Sequence, residues 1–294
     1  MWRGASTAAW CTCLALLAAS AGCSWAGARK GAAGAPLTAE QAARVQAIGE
    51  QAQAALDRQD LEQARLALLQ LVAITPASSE AQQRLGKVLQ LQGRLGEAEA
   101  CFRRALELDP DYVTALVGLG TIEAARGDTA SALKRLDTAI EIEPHDAEAR
   151  FASASILESI GRTDEALAGY FRTIELNPLQ AEASRRIGAI QLARDQPDQA
   201  LARLDQAVEL APASGEAHLL RGQAHLILRH NAEALADLRA ATTLLPDRPE
   251  VHYQLALAFE AAQKKPEAIA AAEKALRLAP DYADARDLSQ RLRR

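Results

Sequence analysis

The sequence predicts an all-α solenoid of seven 34-residue helix-turn-helix repeats closed by a C-terminal capping helix. Three columns of residues carry that prediction. Prolines stand at 76, 110, 144, 178, 212, 246 and 280, each 34 residues after the last. Alanines at 64, 98, 132, 166, 200, 234 and 268 keep the same period. So do the small residues Ala52, Gly86, Gly120, Ala154, Gly188, Gly222 and Ala256. Self-similarity at a fixed period marks a stacked architecture, in which each unit buries its apolar face only against its neighbours. Composition agrees: 49% of the 294 residues are apolar but only 4% aromatic, so Ala and Leu must do most of the packing.

The chain ahead of the repeats reads as an address. Arg3 precedes an uncharged run from Ala8 to Ala21, shorter than the ~20 residues a membrane-spanning helix needs, so residues 1–22 are expected to be an export signal. Two cleavage readings stand open. Ala19-Ser20-Ala21 fits the small-x-small pattern of ordinary signal peptidase, which would release a soluble periplasmic or secreted protein. Ser20-Ala21-Gly22-Cys23 resembles a bacterial lipobox, with Ser20 where Leu is usual. This second reading is preferred. It makes Cys23 both cleavage point and lipid acceptor, and Ser24 in the next position favours the outer membrane, facing the periplasm. Residues 23–37, rich in Gly and Ala and broken by Pro36, have the composition of a flexible tether. Thr38 and Gln41 then have capping-box spacing, which predicts that the first helix starts there.

Each column of the repeats at 45–78, 79–112, 113–146, 147–180, 181–214, 215–248 and 249–282 has a physical cause. The small residue lies where the first helix of a pair crosses the second, and Gly or Ala there lets the two backbones close to the short end of the usual ~8–10 Å separation. Ala in the second helix is the reciprocal small surface. Leu68, Phe102, Leu136, Tyr170, Leu204 and Leu238 fill the hollow between repeats, with Ala272 the weak last member of that column. The column after it is Leu71, Ala105, Ala139, Thr173, Ala207, Ala241 and Ala275. Proline restricts the residue before it and cannot extend a helix, so each second helix stops there. Gly93, Gly127 and Gly161 are placed to end first helices in the left-handed conformation. After Asp281 the chain starts like another first helix without a partner. Residues 283–294 are polar, end in arginines that complement the helix dipole, and are expected to cap the last repeat.

With small residues at repeat positions 8 and 20, a large apolar one at 24, a mostly small one at 27 and Pro at 32, the chain resembles the tetratricopeptide repeat (TPR) family across residues 45–282. With its lipobox it is similar to bacterial TPR lipoproteins. The resemblance implies a right-handed superhelix whose first helices line a concave protein-binding surface through positions 2, 5, 6, 9, 12 and 13. The corresponding residues include Gln83, Arg84 and Lys87, then Val117, Gly118 and Thr121, then Phe151 and Ser155, then Arg185 and Arg186. The sixth and seventh repeats supply Leu219, Leu220, Gln223, Leu226 and Ile227, followed by Tyr253, Gln254 and Leu257. This last set is a largely apolar stripe, suited to holding a helix or an apolar peptide at about 25 cal/mol per Å² of apolar area covered. It is equally open to being covered by the terminal helix or by neighbouring repeats. Position 2 carries Glu80, Glu148, Glu182, Glu216 and Glu250, which either form an acidic recognition row or complement the helix dipoles; the dipole reading is preferred. The carboxylate grip of chaperone-binding relatives is absent, as is the Asn ladder of sugar-transferase relatives.

Chemistry has little foothold. A net charge of −5, with 24% charged residues, offers nothing to nucleic acid. His218 and His225 lie seven apart on one helix, about 10.5 Å of rise, too far to share a metal ion. His218 and His252 occupy equivalent positions in successive repeats and read as packing residues. Gly118-Leu-Gly120 lacks a third glycine and falls inside a helix, so no dinucleotide site is implied. Cys101, the only cysteine of the repeat region, has no base paired with it. No cofactor or catalytic residue is expected. The resulting expectation is a non-enzymatic, exported, membrane-anchored scaffold that binds a protein partner; the alternative is a pilotin-like assembly factor for a pilus or secretion channel.

Overall fold

The computed structural model of the chain describes residues 37–294, so the predicted signal, the tether up to Pro36 and Cys23 lie outside the described residues. Among the described residues all regular structure is α-helical, in fifteen helices. They fall into two compact units, Met1–Ile156 and Leu157–Arg294.

In the first unit α1 (Ala39–Asp57) packs on α2 (Leu61–Ile74), α3 (Ser79–Leu91) on α4 (Leu95–Leu108), and α5 (Val113–Ala125) on α6 (Thr129–Ile142). The unit boundary falls inside α7 (Ala147–Ser159). The second unit continues with α8 (Thr163–Leu176), then α9 (Ala181–Ala193) against α10 (Pro197–Leu210). It goes on with α11 (Gly215–Ile227) against α12 (Asn231–Leu244), α13 (Pro249–Ala261) against α14 (Lys265–Leu278), and α15 (Ala283–Arg293). None of the described helices is long and apolar enough to cross a membrane.

The helix ends lie where the local chemistry puts them. Thr38 forms the expected capping box: its Oγ1 accepts from the Gln41 amide at 3.2 Å, and Gln41 Oε1 accepts from the Thr38 amide at 3.0 Å. Each second helix stops two residues before its proline, and the residue between is driven toward extended backbone; Asp109, for example, has φ −146° and ψ 97°. First helices end in a left-handed residue. Gly93, Gly127 and Gly161 take that role with φ of 76°, 90° and 80°. The other repeats reach the same conformation without glycine, at Gln59, Asp195, Arg229 and Gln263, with φ of 58° to 62°.

Inside a repeat, the small residue of the first helix is a socket. A Cβ on Gly188 or Gly222 would stand 2.6 Å from Cγ of Leu204 or Leu238, the large residue of the same repeat's second helix. At Gly120 it would meet Leu136 at 3.1 Å and the Ala132 carbonyl at 3.3 Å. The large residue therefore fills a hollow within its own helix pair as well as between repeats. Phe102, fully buried, needs two glycines: a Cβ on Gly86 would stand 2.8 Å from its ring and one on Gly118 2.6 Å. Gly118 is thus packing against α4 and not part of a concave lining.

Apolar cores run along each unit. In the first, Val45, Leu68, Leu85 and Phe102 join one cluster and Val113, Leu136 and Ile156 another. In the second, Leu238, Val251, Phe259, Leu288 and Leu292 form a cluster that ties α15 to α12, α13 and α14.

Candidate functional site

Three successive first helices of the second unit, α9, α11 and α13, shape an open cavity of about 620 Å³. Its lining is Ala189, Leu192 and Ala193 from α9, Leu220, Gln223, Leu226 and Ile227 from α11, and Gln254 and Leu257 from α13. No charged side chain lines it, and the two glutamine amides are its polar groups. Ile227 is 51% exposed; other large apolar side chains are exposed too, but Ile227 is the exposed one that stands in an apolar lining. Six of the residues expected for the stripe, Leu220, Gln223, Leu226, Ile227, Gln254 and Leu257, are therefore brought together here.

Two others are not. Leu219 is only 7% exposed and belongs to the core shared with α12 and α13, because its position turns toward the next repeat. Tyr253 packs against Tyr282 with ring centroids 5.2 Å apart and the planes tilted by 54°, so the segment leading into α15 half-covers it. Phe151, on the part of α7 in the first unit, is half-buried and is not a lining residue of the cavity.

The expected cations are already partnered by the glutamate row. Arg84 pairs with Glu80 at 2.7 Å and Lys87 with Glu148 at 2.6 Å. Arg185 pairs with Glu182 and reaches Glu216 at 3.6 Å. Arg186 bonds Glu182 at 2.9 Å and Glu158 at 3.2 Å, and Glu158 also accepts from the Tyr170 hydroxyl at 2.6 Å. Burial disfavours the charge on Glu182, but Arg185 and Arg186 outweigh it and hold the carboxyl below the usual range. The basic and acidic positions are thus a structural lattice within each unit, and the uncharged cavity is what that lattice leaves open.

Family models of the tetratricopeptide repeat match residues 78–145, 117–182, 185–243 and 249–282, together well over half of the chain. The chain belongs to the tetratricopeptide repeat family. Among solved structures, the pilF protein of Pseudomonas aeruginosa is similar at 16% identity and TM-score 0.67, over 74% of this chain and 98% of that one. YrrB, described as a TPR protein with an unusual peptide-binding site, is similar at 20% identity and TM-score 0.57, over 64% of this chain and 97% of its own. A TPR protein from Parabacteroides merdae is similar at 18% identity and TM-score 0.52, over 86% and 100% of the two chains. At these identities the likeness is one of fold. No curated protein matches the chain.

The TPR frame explains which lining residues the sequence reading passed over. Ala189, Leu192 and Ala193 stand at positions 9, 12 and 13 of the fifth repeat, the positions that Gln223, Leu226 and Ile227 fill in the sixth. That equivalence is their signal in the sequence, although Arg185 and Arg186 at positions 5 and 6 give the same repeat a charged face.

The same frame accounts for two of the histidines. His218 Nε2 lies 3.0 Å from the Pro212 carbonyl and His252 Nε2 2.8 Å from that of Pro246. Arg150 and Arg286, at the equivalent position, donate to Pro144 and Pro280 in the same way. This TPR position thus satisfies the carbonyl of the helix-stopping proline. His218 Nδ1 also meets Asp237 at 2.8 Å, and Arg221 donates to both carboxylate oxygens of Asp237 at 2.7 and 2.8 Å. Burial works against the charge on Asp237, but Arg221 and His218 prevail and its carboxyl stays below the usual range. His225, on the other side of Asp237, is pushed down by burial, with Asp237 opposing.

Proposed function

We propose that this TPR chain is a non-enzymatic interaction scaffold, exported to the bacterial envelope and anchored through lipid on Cys23, which takes an apolar peptide segment of an envelope protein into the α9–α11–α13 cavity. TPR domains bind protein partners, and the uncharged cavity with Ile227 half exposed is the observation that carries the finer reading. A lining of aliphatic side chains with two amides suits a segment that presents apolar side chains and a backbone in need of hydrogen-bond partners. The likeness to YrrB, a TPR protein with a peptide-binding site, supports the same mode. A second reading, an assembly factor for a pilus or secretion channel, has the fold likeness to pilF behind it.

The test places a photo-crosslinking residue at 227 and isolates the adducts from membranes. The expected adduct joins position 227 to an apolar segment of one envelope protein, and Leu220→Asp or Leu257→Asp, both in the cavity lining, lowers its yield at least about tenfold, the effect of burying an unpaired charge. Unchanged capture by both variants would remove the cavity from the proposal. Fatty-acid labelling that survives Cys23→Ala would remove the anchor. Recovery of a secretin or a pilin would select the second reading.

A further inference from the structure

The histidine pair that matters is not the one along the helix. His225 lies in the last turn of α11, His230 is the N-cap residue of α12, and the left-handed Arg229 between them folds the chain back so that the two imidazoles come together. Their Nδ1 atoms are 3.3 Å apart, with ring centroids 5.6 Å apart and the planes tilted by 51°. Two imidazole nitrogens on adjacent corners of a tetrahedral ion, each at about 2.0–2.1 Å from it, stand about 3.3–3.4 Å apart. The separation of the two Nδ1 atoms thus matches the edge of such a tetrahedron.

What stands behind the pair supports the same chemistry. His225 Nε2 lies 3.8 Å from Oδ2 of Asp237, a carboxylate whose side chain is 6% exposed and fixed by Arg221. At 3.8 Å this carboxylate is beyond hydrogen-bond reach, but its charge favours the tautomer with hydrogen on Nε2, which leaves the Nδ1 lone pair facing His230. His230 is exposed, so an ion held between the rings is reachable from solvent. Among the described residues no cluster of three or more His, Cys, Asp or Glu is placed around one ion. The protein supplies two ligands, and the remaining positions fall to water or to a ligand from outside the chain.

We infer that His225 and His230 form a two-imidazole site for a divalent transition ion of borderline softness such as zinc, at the turn between α11 and α12. Imidazole is the common protein ligand for that class, and the ion would clamp the turn that joins the two helices of the sixth repeat.

The test uses the full chain, stripped with chelator and titrated with zinc chloride alone, and reads the histidine ring signals by NMR alongside zinc uptake. The ring signals of His225 and His230 are expected to shift together on adding one equivalent. His225→Gln and His230→Gln are each expected to weaken that uptake at least tenfold, while His145→Gln leaves it unchanged. His230 is exposed, so His230→Gln keeps the test valid should His225→Gln fail to fold. Ring signals that do not move, or uptake equal in the wild type and both variants, would overturn the site and reduce the pair to two hydrogen-bonded imidazoles.

Discussion

Phe102 sits in a socket built by two glycines, Gly86 of its own repeat and Gly118 of the next, and neither has room for a methyl group against the ring. Because Phe102 is fully buried and its neighbours are packed, the clash at Gly118 has no cheap exit. Gly118→Ala should therefore destabilise the protein by about 1–2 kcal/mol, overpacking outweighing the ~1 kcal/mol that Ala otherwise gains over Gly inside a helix. Gly96, on α4 with nothing within 4 Å of its Cβ position, is the control: Gly96→Ala should stabilise by up to about 1 kcal/mol. Chemical denaturation measures both, and Phe102→Leu added to Gly118→Ala should recover part of the loss. The column that holds Gly86 was legible in the sequence because one cause, a large partner sixteen residues on, recurs in nearly every repeat. Gly118 was not. Its position lines the groove in other repeats, and only the choice of an aromatic at Phe102 turns it into packing.

The turn inside each helix pair shows the same division at the level of elements. Three repeats use glycine for the left-handed residue, and those turns could be read directly from Gly93, Gly127 and Gly161. Gln59, Asp195, Arg229 and Gln263 carry no such mark, because packing of the flanking helices imposes a conformation their side chains disfavour. Gln263→Gly should relieve that strain and raise stability by about 0.5–1 kcal/mol, while Gly127→Ala should lower it by about 1 kcal/mol. Opposite signs in urea titrations at these two equivalent positions are the expected result; equal signs would mean that something other than φ governs the turn. The α9–α11–α13 cavity was partly legible for a related reason. Periodicity gives the positions that face one way along a first helix, which makes Leu220, Gln223, Leu226, Ile227, Gln254 and Leu257 legible. It does not say how far a position rotates into the neighbouring repeat, which is why Leu219 belongs to the core, nor what a later segment covers, as Tyr282 does Tyr253. The pairs of Arg84 with Glu80 and of Arg185 and Arg186 with Glu182 have the three- or four-residue spacing of one helix face, but those of Lys87 with Glu148, Arg185 with Glu216 and Arg186 with Glu158 join side chains one or two repeats apart and have no signature in any single repeat.

At the scale of the whole chain, a stack of repeats has no central core: each helix pair is stabilised by its neighbours, and the last pair relies on whatever closes it. Here α15 serves that role by burying Ala285, Leu288 and Leu292 on a helix whose other residues, Ala283 apart, are charged or polar. Leu288 and Leu292 join the same cluster as Val251, Phe259 and Leu238, so the cap and the repeats that hold the cavity share one set of apolar contacts. Truncating Leu288 and Leu292 to Ala removes buried volume worth about 2–5 kcal/mol each, more than a terminal helix can spare. In a globular domain with one core that loss would spread over every amide. In a stack it should stay local, because interface energy couples only adjacent repeats. Hydrogen exchange is expected to show protection falling at least about tenfold in α13, α14 and α15, less in α11 and α12, and unchanged in α1 to α3. Uniform loss along the chain would refute nearest-neighbour coupling. The graded outcome would further require that the double variant weaken capture at Ile227 more than Gly118→Ala does, since stability near the cavity and stability of the first unit would then be separate quantities.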